Sequence, residues 1–179
     1  MSQNPNNFII GGNSTLEIES TPQHFMSKIF ITCGKNSHIK ILGIHVLNST
    51  LNINLGDDAE LTIGPNQLMN GHISIFALEK SKILIGENCL WSDVNIWSSD
   101  MHKIIDIDSN ERINHAQDIT IGKHVWFGHG SLILKGSTIQ DNCIVGARSV
   151  VTKSTACKPN CIISGNPAKI IRNNINWVP

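Results

Sequence analysis

Between Ile119 and Thr155 the chain reads ITIGKHVWFGHGSLILKGSTIQDNCIVGARSVVTKST. Large apolar side chains recur at every sixth position: Ile121, Phe127, Ile133, Ile139, Val145 and Val151. Four positions after each stands a smaller residue, from Val125 and Ser131 through Ser137, Cys143 and Ser149 to Thr155. Gly122, Gly128 and Gly146 directly follow three of the apolar members. A period of six is neither the 3.6 of a helix nor the uninterrupted 2 of a long strand. It fits a chain that makes two or three residues of strand, turns a corner and repeats. The aliphatic fills the interior, the small residue fits beside the corner, and glycine tolerates the turn dihedrals. The pattern is that of a parallel β-helix.

Working outward, residues 29–96 keep the style with a drifting period, in the runs IFITCG, HIKILG, LNINLG, ELTIG and KILIG. Asn is abundant, 20 in all, as expected where corners need positive φ. The rhythm fails between Ile96 and Asp118, where WSSDMHKIIDIDSNERINHAQ is polar and charged. This predicts a loop extruded from the solenoid, near residues 98–118, and such insertions commonly carry function. Residues 1–28 show little periodicity and read as an irregular N-terminal segment. The β-helix domain is expected over 29–166. Residues 167–179 form the tail, in which PAKIIRNN opens on a proline suited to a first helical turn and predicts a short capping helix.

Composition narrows the function. The 179 residues carry 14 basic and 14 acidic side chains, so no electrostatic footprint points to nucleic acid. There are 29 Ile against five Phe, four Trp and no Tyr, which favours β structure built from branched aliphatics. No apolar run approaches the roughly 20 residues of a membrane span. MSQNPNNFIIGGNS has neither the basic start nor the apolar core of an export signal, and a cytoplasmic protein is expected. The five cysteines form no CxxC pair, and Cys89 and Cys143 fall in the small-residue slot. They read as reduced, buried thiols without a metal.

The strings ITIGKHVWFG, ILKGSTIQDNCIVGARSVVTK and SGNPAKIIR, preceded by SSDMH, together resemble the hexapeptide-repeat O-acetyltransferases. The nearest group is the sugar and capsular-polysaccharide acetyltransferases, with the maltose and galactoside acetyltransferases as relatives. The likeness runs from about Ile83 to Arg172. It implies a left-handed coil and a homotrimer with active sites between subunits. It also implies transfer of acetyl from acetyl-CoA to a hydroxyl of a glycan such as capsule or lipopolysaccharide.

His102 matches the family's catalytic histidine. A sugar hydroxyl is a poor nucleophile near neutral pH, and its attack on a thioester needs a base. Asp100, two residues earlier, would face the same side on an extended stretch. It either orients the imidazole or acts as a turn residue capping Ser98-Ser99. Trp126, in an outward slot, is a wall for the acetyl and pantetheine arm, a subunit-interface residue, or both. The resemblance places CoA contacts at Gly128, His129, Ala147, Thr152, Lys153, Lys169 and Arg172. Gly128 would let CoA approach closely, the amides near Gly128-His129 or Ala147 would meet the oxyanion, and the cations would meet phosphates. Lys169 and Arg172, three apart, would share a face of the expected helix. For the acceptor, Trp91 and Trp97 are candidates to point outward and stack on a sugar ring. Arg112 is a candidate for a sugar carboxylate or a solvated loop residue.

Three other readings compete with this one. FGHGSLIL resembles the V-G-H-x4-H zinc string of γ-class carbonic anhydrases, but the second histidine position holds Leu134, and zinc needs three protein ligands. N-acylation of a nucleotide-linked amino sugar uses the same fold and donor and is the alternative function. A catalytically dead assembly module is disfavoured by His102 and the CoA strings. No GxSxG elbow or paired Cys–His string points to a covalent acetyl-enzyme, so direct transfer is expected.

Overall fold

A computed structural model describes residues 7–19 and 28–179. The chain starts with β1 (Asn7–Ile10) and β2 (Thr15–Ile18). Next come β3 (Lys28–Cys33), β4 (His38–Ile41), β5 (Ile44–Leu55), β6 (Glu60–Ile63) and β7 (Gln67–Ala77). Then β8 (Lys82–Ile85) and β9 (Leu90–Trp97) lead to the loop. Beyond it the strands shorten to β10 (Ile119–Ile121), β11 (Trp126–Phe127), β12 (Leu132–Leu134), β13 (Thr138–Ile139), β14 (Ile144–Val145) and β15 (Val150–Val151). The last two are β16 (Cys161–Gly165) and β17 (Ala168–Asn173).

Every pairing but one of these strands is parallel, and each strand lies on its counterpart from the coil before. One sheet runs β13-β10-β8-β6-β4-β2. The other stacks β1-β3-β5-β7-β9-β11-β14-β16, with β12 and β15 continuing the far half of β9. A coil therefore has three flat faces and three corners: the β10/β13 face, the β11/β14 face and the β12/β15 face. Ile41, Ile63, Ile85, Ile121 and Ile139 form one interior column, all of them buried. The early coils are 22 residues long and the late ones 18, with bulges in β5 and β7 absorbing part of the excess. That difference is why the six-residue period drifts before Ile96.

The corner before β11 and β14 is built as a ladder. Asn66, Asn88, His124, Asn142 and Asn160 all have positive φ, between 54° and 61°. Asn66 donates to Asn88 at 3.2 Å, and Asn142 donates to Asn160 at 3.4 Å. Asn tolerates this backbone region better than other side chains, and its amide can pair with the copy above. His124 keeps the ladder, its Nδ1 lying 3.1 Å from the Asn142 amide oxygen. The Trp177 ring stacks on His124 at 4.0 Å and donates to its carbonyl, which fixes the tail to this corner.

Three expectations are corrected. The N-terminal segment is not irregular where it is described: β1 and β2 pair in register with β3 and β4, while residues 1–6 and 20–27 lie outside the described residues. No capping helix forms; β17 returns antiparallel along β16, so that β16 does not present a bare edge. Trp91 does not point outward. It is fully buried in the column Met69–Trp91–Phe127–Val145–Ile163, 4.7 Å from the Phe127 ring, and its indole N–H donates to Gln67 at 2.8 Å. The fold has the width for tryptophan because a buried glutamine satisfies the indole. Among the described residues no helix is long and apolar enough to cross a membrane.

Candidate active site

The expected loop is present and ordered. It leaves the solenoid at the corner after β9, where Gln117 N–H donates to the Ser98 carbonyl and closes the base. Within it the chain doubles back, with a bridge between Ile105 and Arg112 and a turn in which the Asp106 carboxylate accepts from both Ser109 N–H and Ser109 Oγ. Asn114, buried at the root, is the hub. Its side-chain amide donates to the His102 carbonyl at 2.7 Å and to Asp100 Oδ2 at 2.9 Å, and its oxygen accepts from Ile104 N–H at 2.7 Å.

Two ion pairs pin this hairpin to the rod. Lys135, at the corner following β12, donates to Asp100 Oδ2 and to the Asn114 carbonyl. The Lys135 ammonium beside Asp100, and after it the Asn114 amide, hold the Asp100 carboxyl below its ordinary pKa. Arg112 grips Glu79 with both terminal nitrogens, at 2.5 and 3.0 Å, and Ser99 Oγ donates to the same carboxylate at 2.5 Å. Arg112, and then Ser99, hold Glu79 down to about 2. Lys135, Asn114 and Glu79 carry no motif in the sequence, and Ser99, expected only as part of a turn capped by Asp100, instead donates to Glu79. The signal available was register: Leu134 stacks on Trp97, so Lys135 must sit where the loop departs.

His102 lies on the exposed side of this hairpin, and its ring makes no hydrogen bond among the described residues. Asp100 is not turned toward it as an extended stretch would require. Met101 has φ 64°, and His102 N–H folds back onto the Asp100 carbonyl at 2.7 Å. The Asp100 carboxylate therefore acts on the loop root through Lys135 and Asn114. Arg112 is likewise committed to Glu79. Trp97 is half-buried, edge-on to Phe76 at 6.0 Å, with its indole N–H buried and unpartnered among the described residues.

The remaining candidates are spread around the rod. Trp126 is 39% exposed and lies 6.0 Å from Trp177, beside the asparagine ladder. His129 and Ala147 occupy the corner after β11 and β14, with His129 Nδ1 2.7 Å from Asp93. Gly128 N–H is spent on the Val145 carbonyl, whereas the amides of His129 and Ala147 have no acceptor among the described residues. The bare Cα of Gly128 makes room for the next coil: a Cβ there would lie 2.6 Å from Ala147 N. Thr152 and Lys153 follow β15, Lys153 stacking below Lys135 where it packs over Gly136.

Lys169 and Arg172 still share a face, for a reason other than a helix. On β17 they pair with Ser164 and Ile162, two residues apart on β16, because Ile171 is bulged out between them. Lys153, Lys169 and Arg172 are exposed and have no acidic partner among the described residues. Free amides and unpaired cations suit a ligand that carries both carbonyls and phosphates, as acetyl-CoA does.

The chain and its fold are similar to those of known proteins. Residues 118–153 match the family described as bacterial transferase hexapeptide (six repeats). A polysialic acid O-acetyltransferase of Neisseria meningitidis is 39% identical over 172 residues, covering 94% of this chain and 77% of that one. The crystal structure of the polysialic acid O-acetyltransferase OatWY superposes with a TM-score of 0.75 at 32% identity, over 98% of this chain and 88% of that one. A galactoside acetyltransferase in complex with coenzyme A gives a TM-score of 0.57 at 26% identity, over 76% and 66% of the respective chains.

Proposed function

The chain belongs to the hexapeptide-repeat acetyltransferases, and from that premise we propose that it transfers acetyl from acetyl-CoA to a hydroxyl of polysialic acid. The observation that carries the reading is the pinned hairpin, which presents His102 on its open side with no hydrogen bond to the ring among the described residues. That leaves the imidazole free for an acceptor hydroxyl. The proton moves to His102 as the hydroxyl oxygen attacks the thioester carbonyl carbon. The carbonyl electrons pass to oxygen, where the free amides of His129 or Ala147 would meet them. Collapse expels the CoA thiolate, which takes the proton back from the imidazolium.

Within one chain His102 stands on the loop after β9, His129 and Ala147 at the corner after β11 and β14, and Trp126 on the β11 strand itself. A homotrimer brings one corner of a subunit against another corner of its neighbour and completes the site. Trp126, large and outward, suits such a contact. The five unbonded cysteines suit a reducing, cytoplasmic setting, where acetyl-CoA is at hand.

The test is incubation with labelled acetyl-CoA and either polysialic acid or a neutral glycan. Label is expected in the polysialic acid alone, released by mild alkali as an ester and not retained as an amide. His102→Ala is expected to lower turnover by roughly 10²–10⁴ with acetyl-CoA binding retained. Transfer to the neutral glycan alone would overturn the acceptor assignment, and near-normal turnover in the variant would overturn the base. Light scattering of the pure protein gives the subunit number.

A further inference from the structure

The last coil departs from the aliphatic rule at Cys157, beside two cysteines of the small-residue slot. Cys143 and Cys161 stack on each other in the small-residue slot, since Ile144 and Ile162 are in register. Cys157 continues the interior series of Ile121 and Ile139 at the next step of 18, where the pattern calls for another aliphatic. It belongs to the connection 152–160, which contributes no strand to the β13 edge, and its sulfur accepts from Gln140 N–H at 3.3 Å. The three sulfurs close a triangle with sides of 3.6, 3.7 and 4.0 Å.

Those sides decide what the triangle fits. A disulfide needs about 2.05 Å, so no pair is bonded. Three thiolates each about 2.3 Å from a shared ion stand roughly 3.8 Å apart in a tetrahedral arrangement and roughly 4.0 Å apart in a trigonal plane. The observed sides of 3.6, 3.7 and 4.0 Å lie close to those separations, so the three sulfurs could close on one ion with only small shifts. Cys143 and Cys161 are buried while Cys157 is half-buried, so the group has a floor of two sulfurs and a route from solvent past the third.

We propose that Cys143, Cys157 and Cys161 bind a thiophilic d10 cation, Zn(II) or Cu(I), that staples the 152–160 connection onto the last coil. Soft thiolates select these ions over Mg(II) or Ca(II). Cu(I) is satisfied by three sulfurs, whereas Zn(II) takes a fourth ligand from the open side at Cys157. The stapled segment carries Thr152 and Lys153 and leads into β16 and β17, so the ion would hold the phosphate-facing cations in place without touching the acetyl group. The site stands independently of the proposed reaction. It also departs from the sequence expectation of metal-free thiols, which rested on spacing along the chain and could not see sulfurs of two successive coils meeting at one corner.

The experiment uses the full chain, fully reduced and freed of metal. It is titrated anaerobically with Zn(II) alone and with Cu(I) alone, desalted, and its metal content and Tm are measured. One equivalent is expected to be retained in at least one arm, and the arm that binds tighter identifies the ion. With free ion at about 100 times Kd, Tm should rise by roughly 5–10 °C. Cys157→Ser is expected to weaken binding by about 100-fold or more. Cys89→Ser, whose thiol stands apart and already donates to carbonyl oxygens, should bind as the parent does. Should Cys157→Ser fold poorly, Co(II) added to the unaltered protein gives an independent readout, a near-ultraviolet thiolate charge-transfer band at one equivalent. Sub-stoichiometric retention of both ions with no Tm shift and no such band overturns the site. So does retention that is unchanged in a folded Cys157→Ser protein.

Discussion

Lys135 and Asp100, 35 residues apart in sequence, meet at the root of the extruded hairpin, where the ammonium and the carboxylate form a direct ion pair. Asp100 shares the Asn114 side-chain amide with the His102 carbonyl, so the pair acts on the position of the histidine backbone. Lys135→Met removes the ammonium and leaves the rod intact, because the pair is partly solvated and contributes no more than about 1 kcal/mol. Misplacing a reacting group by an ångström can cost about 100-fold. The expected result is therefore a kcat lower by roughly 10- to 100-fold with Tm nearly unchanged, and partial rescue by Lys135→Arg. Equal losses of kcat and of folded protein would mean that the pair only supports the fold.

Glu79 gives the hairpin its pH dependence. Its carboxyl is held down to about 2 by Arg112 and Ser99, below the ordinary value of about 4.3 that it regains on unfolding. A depressed native pKa adds stability that is complete above the unfolded value and disappears as the pH falls toward 2. Glu79→Gln removes that contribution. Urea denaturation of the two proteins at pH 6, 4 and 2.5 should show the largest difference at pH 6 and convergence by about pH 2. A difference that widens on acidification would contradict the assignment.

The repeat from Ile121 to Val151 made the coil legible because the interior columns are built from large apolar side chains at a fixed step, and each one is visible in sequence. The extruded loop was legible for the converse reason, as the place where the column is interrupted between Ile85 and Ile121. What escaped was decided by contacts between coils. Trp91 looked too large for the interior until Gln67, one coil earlier, supplied its acceptor. PAKIIRNN has a helix-like opening, yet the open edge of β16 drew it into a strand. Lys135, Asn114 and Glu79 carry no motif of their own, and their roles follow from three segments meeting at one corner.

The Gln67–Trp91 pair supplies a stability prediction. Both side chains are fully buried, and Gln67 Nε2 also lies within 2.8–3.1 Å of the carbonyls of Gly64, Pro65 and Gly86. Gln67→Leu leaves the indole N–H and these carbonyls without their partner. Stranding buried polar groups costs about 1–3 kcal/mol, and here a total of about 2–4 kcal/mol is expected. Trp91→Phe strands the glutamine oxygen and opens a cavity, for a loss of similar size. Because both variants remove the same hydrogen bond, the double variant should be more stable than the summed losses predict, by about 1 kcal/mol. Denaturation midpoints of the four proteins measure the coupling, and simple additivity would show that the hydrogen bond contributes nothing.

Lys169 and Arg172 reach the outer face of β17 because Ile171 bulges away, and neither has an acidic partner among the described residues. If they serve the CoA phosphates, each replacement by Ala removes an attraction present equally in the ground and transition states. Uniform binding of that kind appears in KM alone. Lys169→Ala and Arg172→Ala are each expected to raise the KM for acetyl-CoA by roughly 3- to 10-fold, with kcat held within about twofold. The effect should shrink at high ionic strength, because exposed charges are screened over about 10 Å at 0.1 M salt. A thioester donor that lacks the nucleotide phosphates removes the interaction from the other side, and with it the parent and both variants should give the same KM. A fall in kcat with KM unchanged, or an equal loss with the phosphate-free donor, would move these cations out of the phosphate site and into support of the β16–β17 ribbon.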